Sequence, residues 1–191
     1  MSQQLEQKLK NYRRELHQYP ELSMKEYETT KRISAWLTEA GITILDYPLE
    51  VGVIAEVKGE QPGPTIALRA DIDALPIVED TGLEFASKNE GVMHACGHDF
   101  HTASMIGAAI LLQQRIHELK GTVRFIFQPG EEVSMGALYI EEAGALDGVE
   151  AIFGMHNKPD LPVGTIGVRE GALMASVDRF KIDITGVGGH A

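Results

Sequence analysis

The sequence predicts an α/β fold, a mixed and largely parallel sheet flanked by helices. Three observations carry this. Short apolar runs of strand length recur along the chain, helical periodicities fall between them, and clusters of metal-binding or acid-base residues follow the runs where strands should end.

The elements follow in order. Leu5, Leu9, Tyr12 and Leu16 recur at three- and four-residue steps, which predicts an amphipathic helix ending near Tyr19-Pro20. Ser23 with Glu26 has capping-box spacing, and Tyr27, Ile33, Trp36, Leu37 and Ala40 give a second helix that Gly41 stops. Residues 42–47, 51–57 and 65–70 read as strands, the last two joined by the turn-rich 59–64 as a hairpin. A helix over 101–118, a strand over 122–127, a helix over 135–142 and a strand over 151–155 complete the alternation.

Composition narrows the function. The 191 residues are 43% hydrophobic and 24% charged, as in an ordinary globular protein. A formal net charge of -11 offers no basic stripe for a nucleic-acid partner. The longest apolar run, 105–112, is far short of the roughly 20 residues that span a bilayer, so no membrane role is expected. One cysteine cannot form an internal disulfide, and the charged first residues lack the apolar core of a signal peptide; a cytoplasmic location is expected.

The densest chemistry lies in His94-Ala95-Cys96-Gly97-His98-Asp99-Phe100-His101, where the single cysteine joins three histidines and an aspartate. If this segment is extended, Cys96 and His98 point the same way, and a thiolate with an imidazole suits zinc or a similar first-row ion. A lone cysteine or histidine is more often packing than ligand, but packing does not require this clustering. Two ligands also leave a catalytic metal short of its usual three. Asp71 and Asp73 follow one apolar strand, Glu131 and Glu132 follow another, and His156 ends the run Ala151-Ile152-Phe153-Gly154-Met155. Asp71 and Asp73 share a face if extended, whereas the adjacent glutamates should point to opposite sides and divide their tasks. With Cys96 and His98 they make a mixed sulfur, nitrogen and oxygen set on successive strand ends.

On these residues the chain resembles the M20 family of metallopeptidases and amidohydrolases, in the subgroup of hippurate hydrolases, N-acyl-amino-acid deacetylases and auxin-conjugate hydrolases. The resemblance runs from Arg13-Arg14-Glu15-Leu16-His17-Gln18-Tyr19-Pro20-Glu21 through Arg69-Ala70-Asp71-Ile72-Asp73-Ala74-Leu75-Pro76 and the His94 cluster to Gly186-Val187-Gly188-Gly189-His190-Ala191. It implies a zinc-peptidase-like catalytic domain holding one or two divalent ions (manganese, zinc, nickel or cobalt) on Cys96, His98, Glu132 and His156. Glu131 would be the general acid/base. Asp73 would orient a ligand, while Asp71 stands where relatives with a histidine bind metal. His190 matches a lid histidine that stabilises the oxyanion. Gly130 replaces the usual alanine before the glutamate pair, a change expected only to loosen the loop.

The implied reaction is metal-assisted hydrolysis of the amide bond of an N-acyl amino acid or dipeptide-like substrate, giving a carboxylic acid and a free amino acid. Residues 1–175 would belong to the catalytic domain and 176–191 to the start of an inserted lid or dimerisation domain, at which the chain is expected to be cut short; the full-length protein would dimerise through that lid. Two other readings compete: a metal-binding fragment inactive by itself, and a hydrolase using Cys96 as nucleophile with His94 or His98 as its base.

Overall fold

The computed structural model describes residues 2–176, 178 and 180–190. Two compact units make up the chain, Met1–Asn157 and Lys158–Ala191. The first contains helices α1 (Gln3–Gln18), α2 (Tyr27–Glu39), α3 (His98–Gln113) and α4 (Gly136–Glu142), and strands β1 (Thr43–Ile44), β2 (Val53–Lys58), β3 (Gln61–Asp71), β4 (Lys120–Gln128) and β5 (Val149–Gly154). In the second, the described residues form turns and irregular backbone, with no helix or strand among them. Among the described residues no helix is long and apolar enough to cross a membrane.

The sheet has the order β1-β2-β4-β3-β5. Strand β3 is parallel to both β4 and β5, and only β2 runs against the rest, so the mixed, largely parallel sheet is as expected. The hairpin is not. Strand β4 inserts between β2 and β3, and the Gly59 N–H donates to the Gly121 carbonyl at 2.9 Å as the connection passes the start of β4. The physical reason is burial on both faces. Phe125 and Phe127 join the larger core cluster, Ile126 joins the other, and each buried side chain is worth about 1.5–3 kcal/mol, so β4 belongs at the sheet centre.

Helices α1 and α3 contact one another, as do α2 and α3, and their apolar residues pack on one sheet face around Ile33, Leu37, Ile106 and Phe125. Ser2 caps α1 by accepting the Leu5 N–H at 3.2 Å, and Tyr12 stacks on Trp36 at 4.0 Å between centroids. Ile140 of α4 packs with Ile54, Ala67 and Ile126 in the other cluster. The capping box at Ser23 does not form. Glu21 instead receives the first N–H groups of α2, from Glu28 at 3.2 Å and Thr29 at 2.7 Å, while Ser23 and Glu26 turn to partners far along the chain.

Candidate metal centre

Parallel pairing brings the candidate residues to one sheet edge. Asp71 is in register with Gln128, and Arg69 with Gly154, so the segments holding Asp73, Glu131 and Glu132, and His156 all leave the sheet in the same direction. The first turn of α3 meets them there. Gly97 stands just before it with φ +89°, a left-handed conformation that glycine adopts without strain. Cys96 and His98 therefore converge through a turn entering a helix, not through the alternation of an extended strand. Their ligand atoms, with that of His156, lie within 4.8 Å of one another.

His98 is central. Its Nδ1–H donates to Asp73 Oδ1 at 3.1 Å, which in the neutral ring leaves Nε2 bare and facing Asp71 Oδ2 at 3.6 Å, Glu132 Oε1 at 3.7 Å and Glu131 Oε2 at 3.8 Å. Asp73 is itself fixed by the Ser23 hydroxyl at 2.6 Å and the Glu132 N–H at 3.0 Å. His156 is arranged the same way. Its Nδ1–H donates to the Asn157 carbonyl at 2.8 Å, so Nε2 presents its lone pair 3.3 Å from Cys96 Sγ.

These donors fit a divalent metal. Both imidazoles are held by one nitrogen with the other free, the usual arrangement behind a metal-binding histidine. His98 Nε2 and Glu132 Oε1 are buried without a hydrogen-bond partner, a costly condition that a cation would relieve. The residues thus offer one sulfur, two nitrogens and carboxylate oxygens, the donor set of a zinc-like ion.

The electrostatics agree. Burial opposes a charge on His98, but its bond to Asp73 and the charges of Asp71, Asp73 and Glu132 outweigh it and raise the imidazole's pKa. Burial also acts against ionised Asp71, yet the His101 hydrogen bond and the nearby His98 and Arg69 hold its carboxyl at about 2. Burial and the Glu132 charge push the Cys96 thiol up to about 12, which makes it a poor free nucleophile and disfavours the cysteine-hydrolase reading.

The glutamates do not point to opposite sides of a strand. They stand in a turn beyond β4, both near His98, and differ in exposure: the Glu131 side chain is 41% exposed and that of Glu132 20%. A pocket of about 410 Å³ lined by Arg69, Gln128, Glu131, Ser134 and Ala137 opens beside Glu131. Gly130 is more than a loosening of this loop, since it takes φ +60° and an added Cβ would lie 2.5 Å from Met24 Sδ. Strand β5, for all its apolar residues, leaves Ile152 and Phe153 exposed. His190 lies in the second unit and is exposed; Ala191, next in its motif, falls outside the described residues. Sequence reasoning missed Ser23 and Asn157 as members of the network, because their partners lie 50 or more residues away.

Comparison with known proteins gives a consistent picture. The sequence profile of peptidase family M20/M25/M40 matches residues 67–190. An N-acetylcysteine deacetylase of Bacillus subtilis (strain 168) is 70% identical over 185 residues, covering 96% of this chain and 49% of that protein. An N-acyl-L-amino acid amidohydrolase of Geobacillus stearothermophilus is 46% identical over 94% of this chain and 49% of its own length. The crystal structure of the Bacillus subtilis YXEP protein, a dinuclear metal-binding peptidase of the M20 family, superposes with a TM-score of 0.89 at 66% identity, over 90% of this chain and 48% of that one. The chain thus spans about half the length of these relatives.

Proposed function

The chain belongs to peptidase family M20/M25/M40, and from that premise we propose a metal-dependent amidohydrolase that cleaves N-acyl amino acids into a carboxylic acid and a free amino acid. The observation that carries the proposal is the convergence on His98 of three groups of side chains able to hold a metal ion, Cys96–His98–His156, Asp71–His98–His101 and His98–Glu131–Glu132, from which the ligands would be drawn.

Cys96, His98, Glu132 and His156 would hold one or two divalent ions, with Asp71 facing the same space. A bound ion supplies Lewis acidity, activating water and polarising the acyl oxygen. Cys96 favours zinc, nickel or cobalt, while the glutamate and histidines also accept manganese. Glu131, the more exposed of the pair, takes the proton of the attacking water and returns it to the leaving amine nitrogen. Asp73 keeps the His98 ring in the tautomer that frees Nε2. The pocket beside Glu131 receives part of the substrate.

The same reading gives residues 1–175 to the catalytic domain and 176–191 to the start of a lid or dimerisation domain. There His190 would stabilise the oxyanion, and the lid would join two copies. A single cysteine serving as ligand suits the reducing cytoplasm.

The test is hydrolysis of a panel of N-acetyl amino acids before and after chelation. Activity lost to chelator and restored by manganese, zinc or cobalt is expected. Activity that survives chelation yet is abolished by thiol alkylation would replace this mechanism with a cysteine nucleophile.

A further inference from the structure

Resting on the metal-centre reading above, we infer that His101 is a positioning residue that fixes the ligand His156 through the backbone of Asn157. Strand β5 pairs with β3 only as far as Gly154, so the ladder does not hold the residues that follow. What holds them is a clasp at the start of α3. The Asn157 N–H donates to His101 Nε2 at 3.0 Å, and the Asn157 carbonyl accepts from His156 Nδ1 at 2.8 Å. One residue therefore links the two rings, whose centroids are 4.6 Å apart.

This geometry dictates the tautomer of His101. A nitrogen that accepts from a backbone N–H carries no hydrogen, so the proton sits on Nδ1, which donates to Asp71 Oδ1 at 2.6 Å. Arg69 Nη1 fixes Asp71 in turn at 2.7 Å. The other side of the clasp is Gly97. A Cβ built there would lie 2.5 Å from Asn157 Oδ1, so the asparagine side chain occupies the space that a larger residue would need. Because the His101 side chain is fully buried, water does not substitute for either bond.

Two substitutions separate the halves of this arrangement. His101→Gln retains an oxygen where Nε2 accepts, while His101→Asn retains an N–H where Nδ1 donates and leaves the Asn157 N–H without an acceptor. Cobalt(II) is titrated into the parent and both variants, following the thiolate-to-cobalt absorption of Cys96. His101→Asn should weaken cobalt binding about 10- to 100-fold, the usual cost of losing support behind a ligand, and His101→Gln should stay within a few-fold of the parent. Long-range proton–nitrogen NMR of the metal-free parent should show His101 protonated on Nδ1 and bare on Nε2. An Nε2–H tautomer, or equal cobalt affinity in the two variants, overturns the role of His101 alone. A parent protein without the absorption removes the metal reading, and this inference with it.

Discussion

Two buried clusters of histidines and carboxylates lie back to back across the first turn of α3, and their difference identifies the site. His98 faces one, with Asp71, Asp73 and the glutamates; the next residue, Asp99, faces the other, with His17, Arg13 and Glu79. In the second cluster both ring nitrogens of His17 are matched, Nδ1 with Asp99 at 2.9 Å and Nε2 with Glu79 at 3.2 Å. Glu79 also receives the Ser87 N–H at 2.6 Å and the Thr81 hydroxyl. In the first, His98 Nε2 and Glu132 Oε1 remain unmatched and face each other. Similar residue types thus leave one histidine ring, His17, matched at both nitrogens on one side of a helix turn and form an open ligand set around His98 on the other.

The sharpest break of the comparison is Glu131→Gln. It removes the proton carrier from the open cluster without touching the ligands, so turnover should fall about 10²- to 10⁴-fold while cobalt affinity stays within a few-fold. Rates measured at saturating metal check this. A loss under tenfold would mean that another group moves the proton.

The next largest effect belongs to the His17 cluster. His17→Ala leaves Asp99 and Glu79 buried without their common partner, a loss of roughly 3 to 5 kcal/mol in urea unfolding, with cobalt affinity little changed. The Asp99 hydrogen bond raises the His17 pKa above the ordinary 6.5 despite burial. Its contribution is therefore complete below that ordinary value and is lost as pH rises through the raised one. The cost of the substitution should accordingly be greater at pH 6 than at pH 9. A cost independent of pH, or a collapse of cobalt binding, would contradict the division into two clusters.

How far this division was legible in the sequence depended on range. Strand alternation and the position of candidate residues after strands were visible, because both are local patterns, and they led to Cys96, His98, Glu132 and His156 as one set. The hairpin failed because β4, about 60 residues later, buries side chains on both faces and displaces β3 from β2. The convergence of Cys96 with His98 was anticipated for the wrong reason, since a left-handed Gly97 starts the helix three residues before the expected His101. Ser23 and Glu26 showed local capping spacing, yet their strongest partners are Asp73 and Gly130. A sequence displays spacing along the chain. It does not display which buried polar atom lacks a partner, and that is what separates His98 from His17.

Glu26 tests whether an unmatched atom alone marks a site. Its side chain is fully buried, one oxygen accepts the Gly130 N–H at 2.8 Å, and Oε2 has no partner. Unlike His98 Nε2, it belongs to none of the converging ligand groups. Burial raises its pKa from 4.5 to about 7 against the pull of the Gly130 hydrogen bond. Between those values the folded protein keeps a proton that the unfolded chain has lost, so stability falls as pH rises through this window and levels off above it. Glu26→Gln keeps an acceptor for Gly130 and removes the charge. It should stabilise the protein by about 1 to 3 kcal/mol above pH 7 and by almost nothing below pH 4.5, with cobalt affinity unchanged. Unfolding curves at both pH values, with a cobalt titration, decide the matter. A tenfold loss of cobalt affinity would place Glu26 in the open cluster, and an unmatched buried oxygen would then suffice to mark a ligand without any convergence.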